Sequence, residues 1–177
     1  MNANAPIALL GAGYRTVDGA VQDFTSVWAA RHVGGFHHTS VAVLSKDDDG
    51  DLQVVRSNNT AKHLEWGGAP LGAALFLLAP PAGRAVLSTV GVTGAGAMID
   101  HFRHQARPDE LAELAEVIEA GAAGLVVVAL NRDSRAMAPL LDNAERRLAI
   151  DLVWGDLEEE LSQDFAHPSS GALLVAI

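Results

Sequence analysis

Seven histidines, an acidic turn and a glycine-punctuated strand end are the parts of this chain whose residue types could do chemistry. His101 and His104 stand three apart, with Asp100 beside them, in "DHFRHQAR". On a helix that spacing turns two imidazoles to one side, and a carboxylate nearby would complete a set that zinc accepts. The same stretch alternates acid and base, as the solvated end of a helix does, and that is the reading adopted. His37 and His38 are adjacent in a strand pattern, so they point to opposite faces and do not share an ion. His63 and Glu65 flank one end of an apolar stretch and face His101 and Asp100 at its other end. That polar ring is expected to close the stretch by hydrogen bonds rather than by catalysis.

"DDDGD" places carboxylates at Asp47, Asp49 and Asp51, like the start of a calcium loop. An EF-hand needs glycine at loop position 6 and glutamate at position 12, between helices. Here Gly50 is at position 4, Asn58 is at position 12, and the flanks have strand patterns, so a solvated hairpin turn is expected. "GAGYRT" follows a strand but has Thr16 where a dinucleotide loop needs its third glycine, which leaves a tight strand-to-helix turn. No GxxxxGK[ST] loop and no GxSxG elbow occurs. Glu110, Glu113, Glu116 and Glu119 form the wet face of a helix, not a carboxylate pair. No residue is assigned a catalytic, cofactor-binding or metal-binding role, and the chain is read as non-enzymatic, with no cofactor.

The elements that would carry these residues follow from periodicity. "IALLGAGY" (Ile7–Tyr14) is a buried strand, and Thr16 caps a helix whose Val17, Ala20, Val21, Phe24, Val27 and Trp28 recur on one face. "HHTSVAVLSK" and "LQVVRS" pair as a hairpin across the acidic turn. "DELAELAEVIEA" is an amphipathic helix that turns Leu111, Leu114, Val117 and Ile118 inward. "GLVVVAL" is a nearly continuous apolar run suited to a central strand covered on both faces. "SRAMAPLLDNAERRL" is expected as a helix capped by Ser134, "AIDLVWG" as a strand and "DLEEELSQDF" as a closing helix. Ile7–Leu44 and Leu125–Trp154 thus each run strand, helix, strand. Two such units imply an α+β, ferredoxin-like sandwich of two βαβ units, both helices on one face of a mixed sheet. Residues 1–6 are expected to be a disordered N-terminus, 7–166 a single domain with an insertion at 60–105, and 167–177 a tail. The tail, "HPSSGALLVAI", is an edge strand of the same sheet or a peptide that docks on a neighbouring subunit.

The insertion is the unusual part. From Trp66 to Ile99 only Arg84 carries a charge. Pro80-Pro81 cannot sit inside a continuous helix, so a helical hairpin is expected, its first leg ending near Leu78 and its second starting near Ala82. Legs of fifteen residues reach roughly 22 Å, short of the roughly 30 Å hydrocarbon core of a bilayer. Gly68 and Gly72, and Gly91 and Ala95, are small residues four apart, a spacing that lets helices approach closely. With Leu75, Phe76, Leu87 and Met98 they form the expected oligomer interface, a glycine zipper between copies of the chain.

The order of elements resembles a bacterial family of unknown function. The resemblance is carried by the small-residue hairpin of Trp66–Ile99 and the strand Gly124–Leu130, within a span from Ile7 to Phe165. Members of that family are labelled predicted membrane proteins, and some are linked to general stress responses. The resemblance implies an α+β domain with an inserted apolar hairpin, and no active site. This sequence departs from the pattern in its Pro80-Pro81 break, its glycine spacing and its tail.

Charge and composition narrow the partners. Twelve basic against 22 acidic side chains give a net charge of −10, which repels phosphate backbones and anionic headgroups, so nucleic acid is excluded as a partner. With no cysteine, disulfides and thiolate chemistry are excluded. "MNANAPIALLGAGY" lacks the pattern of an export signal, so a cytoplasmic chain is expected, with membrane association open. The leading expectation is a self-assembling, stress-related homo-oligomer. The alternatives are a hairpin inserted in membrane lipid beneath an acidic cytosolic domain, and a ferredoxin-like oligomer that binds a small molecule on its sheet.

Overall fold

The structure is a computed structural model that describes residues 3–30, 38–59, 68–90, 94–132, 134–157, 159 and 161. The chain is α+β. Its strands are β1 (Pro6–Tyr14), β2 (Thr39–Lys46), β3 (Leu52–Asn59), β4 (Ala123–Leu130) and β5 (Arg146–Val153). Its helices are α1 (Val17–Ala30), α2 (Ala69–Leu78), α3 (Pro80–Val90), α4 (Ala95–Gln105), α5 (Pro108–Glu119) and the short α6 (Ser134–Met137). The strands form one antiparallel sheet in the order β3-β2-β4-β1-β5.

Alternation along the strands makes two cores. Ala8, Leu10, Val41, Val43, Leu125 and Val127 face Ala20, Phe24 and Val27 of α1 and Met137 of α6. Ile7, Leu9, Ala42, Leu44, Val126, Val128, Ile150 and Leu152 face the other way, onto α2–α5. β4 lies at the centre of the sheet with all eight residues buried. Its apolar run is what a strand covered on both faces requires.

Several local expectations meet the structure closely. Thr16 Oγ1 accepts from the Gly19 N–H at 3.2 Å, which caps α1. The acidic turn joins β2 to β3, and Gly50 takes a φ of 87° in it. α2 ends at Leu78 and α3 begins at Pro80, with Ala79 between them.

Other expectations are corrected. The apolar second leg is not one helix, because Gly94 has a φ of 86° and starts α4 afresh. That backbone conformation costs glycine nothing and ends a right-handed helix. The helix expected from Ser134 to Leu148 stops within two turns, since Pro139 has no N–H to continue it and a 3-10 turn over Ala138–Leu140 closes it. Arg146, Arg147 and Leu148 belong instead to β5, opposite Gly13, Ala12 and Gly11. Ser134 does not cap α6; its N–H and Oγ both donate to Asp151, at 2.6 and 2.7 Å. Within residues 1–6, expected to be disordered, Pro6 opens β1, and the main chain before it is tied down: Trp154 N–H donates to the Ala5 carbonyl and Gly155 N–H to the Ala3 carbonyl, both at 2.8 Å. The tail at 167–177 lies outside the described residues.

Candidate functional site

Among the described residues the most enclosed charged side chain is that of Asp23. Its residue is 1% exposed, on the apolar face of α1 between Ala20 and Phe24. Tyr14, at the end of β1, donates its hydroxyl hydrogen to Asp23 Oδ2 at 2.9 Å. Asn143 donates its backbone N–H to the same oxygen at 3.0 Å and its side-chain amide to Oδ1 at 2.6 Å. Burial raises the Tyr14 pKa far above the ordinary phenol range; the Asp23 charge and its hydrogen bond add to that, against a smaller lowering by Arg147. The cluster ties β1, α1 and the chain before β5 together. Tyr14 and Asp23 both lie inside the core, closed to a substrate. The sequence did signal it: Asp23 falls at the helical spacing of Ala20, Phe24 and Val27, where a charge needs partners.

The described histidines, His38, His101 and His104, do not converge. His101 is 4% exposed and its Nε2 donates to the Val153 carbonyl at 2.9 Å. His104 is exposed and its Nδ1 lies 2.8 Å from the Asp100 carbonyl, so the i, i+3 pair serves two separate main-chain acceptors. His38 stands just before β2, not inside it, and its carbonyl accepts from the Leu130 N–H at 2.9 Å. His37, His63 and Glu65 lie outside the described residues, so the polar ring expected of them does too. Among the described residues no group of three metal-ligating side chains comes together.

Asp47 spends its carboxylate on its own turn. Oδ1 accepts from the N–H groups of Asp49 at 3.0 Å and Asp51 at 2.9 Å, and Oδ2 accepts from the Gln53 amide. Slight shielding raises its pKa, but the hydrogen bonds from Asp51, Gln53, Asp49 and Gly50 outweigh that and hold it below the usual carboxylate range. A shallow cleft of about 310 Å³ lies beside this turn, between Lys46, Asp51 and Leu52 on the hairpin, Ala79 and Pro81 at the α2–α3 elbow, and Glu119. Its charged residues, Lys46, Asp51 and Glu119, are all exposed, so no desolvated polar group waits there for a ligand. The glycines of "GAGYRT" are not at a loop. Gly11 and Gly13 lie within β1, and a side chain at Gly13 would collide with the Val117 carbonyl of α5.

The eight residues expected at an oligomer interface separate clearly. Leu75 and Met98 are 0% exposed and Ala95 is 4%, and Gly72 is buried with them, all inside one chain. This corrects their expected placement on a surface shared between copies: Gly72 and Leu75 belong to α2, which packs on α4, β4 and β2, and Ala95 and Met98 belong to α4, which packs on α2, so burial within the chain removes all four from water. Gly68 and Phe76 are half-buried. The Leu87 side chain and Gly91 lie outside the described residues. The close approach that small residues were expected to allow occurs elsewhere, at Gly83, where an added Cβ would meet the Phe76 backbone of α2. No helix among the described residues is long and apolar enough to cross a membrane. Compared with protein-family models, curated proteins and solved structures, the chain matches none.

Proposed function

We propose that this chain is a non-enzymatic, self-associating protein on a ferredoxin-like frame, and that it associates through the outer side of its helical layer. The run β2-β4-β1-β5, with α1 and α6 over one face, has the strand order of such a frame. In this reading β3 is an added edge strand, and α2–α5 are an insertion laid over the face that the frame leaves open. That face is where a ligand would sit in the small-molecule alternative. Among the described residues the core between it and the helices is apolar apart from Ser40 and His101, which argues for structure and against a binding cleft.

One observation carries the association reading. None of the ten residues of α2 has a polar side chain; eight are buried, and Phe76 and Leu77, packed against the core, are left half-buried. A helix apolar all round is ordinarily surrounded on every side. The remaining apolar surface fits a second copy of the chain, consistent with the family resemblance and its link to stress responses. Detergent-free sedimentation velocity tests this. The expected result is a concentration-dependent oligomer that Phe76→Glu and Leu77→Glu weaken while far-UV circular dichroism stays native. A wild-type chain that remains monomeric at every concentration overturns the reading.

A further inference from the structure

We infer that the outer edge of β5 is a second, independent contact, built to form an antiparallel pair with β5 of another copy of this chain about a two-fold axis at Ala149. It goes beyond the helical-layer contact, because it uses a different surface and different forces. The backbone phase of β5 is legible. Its register with β1 runs from Gly13–Arg146 to Pro6–Val153, and the next pair is bonded: Trp154 N–H donates to the Ala5 carbonyl at 2.8 Å. Bonded and non-bonded pairs alternate in an antiparallel ladder. The even-numbered residues of β5 therefore bond to β1, while Arg147, Ala149, Asp151 and Val153 turn their N–H and C=O groups to the outer edge. At Val153 that carbonyl is already taken by His101 Nε2. Arg147, Ala149 and Asp151 remain, and no other strand lies beside them among the described residues.

The side chains on this edge are complementary to themselves. The stretch reads Arg147-Leu148-Ala149-Ile150-Asp151. Antiparallel pairing centred on Ala149 sets each Arg147 opposite Asp151 of the second copy and each Leu148 opposite Ile150. The charges lie on the α1 side of the sheet and the apolar pairs on the side of the helical layer. Opposite charges directly across an antiparallel pair attract, and like charges repel. A pairing centred on residue 147 would oppose arginine to arginine, and one centred on 151 aspartate to aspartate, whereas the Ala149 register sets both Arg147–Asp151 pairs opposite each other. Arg147 Nη1 donates to the Ala138 and Leu141 carbonyls, and Asp151 accepts from Ser134, which fixes both side chains on that face. The opposite edge of the sheet is built differently. β3 has a bulge at Val55, where the partner of Val43 is Arg56 and the partner of Leu44 is Val54. A bulge is how an edge avoids pairing. β5 has none.

Sedimentation of the full chain and three variants tests the contact. Ala149→Pro removes one outward N–H that the monomer does not use, as edge strands tolerate; it is expected to abolish this dimer and leave the monomer folded. Arg147→Glu and Asp151→Lys, each alone, set like charges across the axis and are expected to raise the dimer dissociation constant about tenfold or more. Mixed together, the two single variants bring the introduced glutamate opposite the introduced lysine, with the native Asp151 and Arg147 still facing each other, and the heterodimer is expected to recover. Thermal melts by circular dichroism separate loss of pairing from loss of fold. Oligomers indifferent to Ala149→Pro, or charge variants that do not complement on mixing, overturn the inference. So does a wild-type edge that pairs only after residues 167–177 are deleted, because the chain's own tail would then be the occupant. Phe76→Glu is expected to leave this contact intact, so the two surfaces fail separately.

Discussion

Tyr14 and Asp23 meet by a 2.9 Å hydrogen bond that closes the end of β1 onto α1 inside the apolar core. Tyr14→Phe removes one donor of three from the carboxylate and is expected to cost about 1–2 kcal/mol. The substitution also changes the alkaline limb. The fold holds the phenol neutral far above its ordinary range, whereas an unfolded tyrosine ionises near pH ~10. The raised pKa therefore stabilises the fold fully below about pH 10 and is lost progressively as pH rises beyond it. Urea unfolding between about pH 8 and 11 is expected to show that decline in the wild type and a shallower one in Tyr14→Phe. Equal slopes would mean that the hydroxyl is not buried.

Leu75 and Met98 are core residues of a single chain. Leu75→Ala and Met98→Ala are each expected to lower the unfolding free energy by about 2–5 kcal/mol, from lost transfer energy and the cavity left behind. The loss is read by chemical denaturation at several protein concentrations and is expected to be the same at low concentration. A cost that appears only where the chain is oligomeric would return these residues to an interface.

Gly83 is where α3 crosses α2 with no room for a side chain. Gly83→Ala gains intrinsic helix propensity, about 1 kcal/mol. The new methyl group must displace the Phe76 backbone rather than a flexible side chain, and overpacking of that kind costs about 1–3 kcal/mol or more. A net lowering of the melting temperature is expected. A rise would show that the helices part freely.

Asp47 organises the β2–β3 turn through its carboxylate. Its depressed pKa means that this contribution is present above the ordinary carboxylate range and is lost as pH falls through the lowered value. Asp47→Ala is expected to speed amide exchange at Asp49 and Asp51, measured by NMR, with no effect at Tyr14. An Asp47 titration midpoint at or above that of a free aspartate would contradict the hydrogen-bond geometry.

Local signals were strong enough to place several elements. Thr16 at the head of α1, the acidic turn, the proline pair after α2 and the apolar run of β4 each depend on a few neighbouring residues, and each is found where its chemistry requires. The failures share a cause as well. Local pattern alone joins Ser134 and Arg146–Leu148 in one helix, because their partners, Asp151 and β1, lie outside that stretch. The helical spacing of Asp23 signals a buried charge, but not its partner, since Asn143 reaches it from 120 positions away.

By itself the sequence determined the apolar load, the absence of thiol chemistry, the acidic surface and most strand and helix starts, because periodicity, capping and turn geometry are properties of short stretches. The tertiary structure decided what the apolar stretch is for within one chain. Hydropathy records that Leu75 and Met98 must leave water, but not which surface receives them. For Leu75 that surface is built by β2 and β4 and for Met98 by α2, and the place of β2 and β4 side by side is a consequence of topology and register rather than of any local pattern.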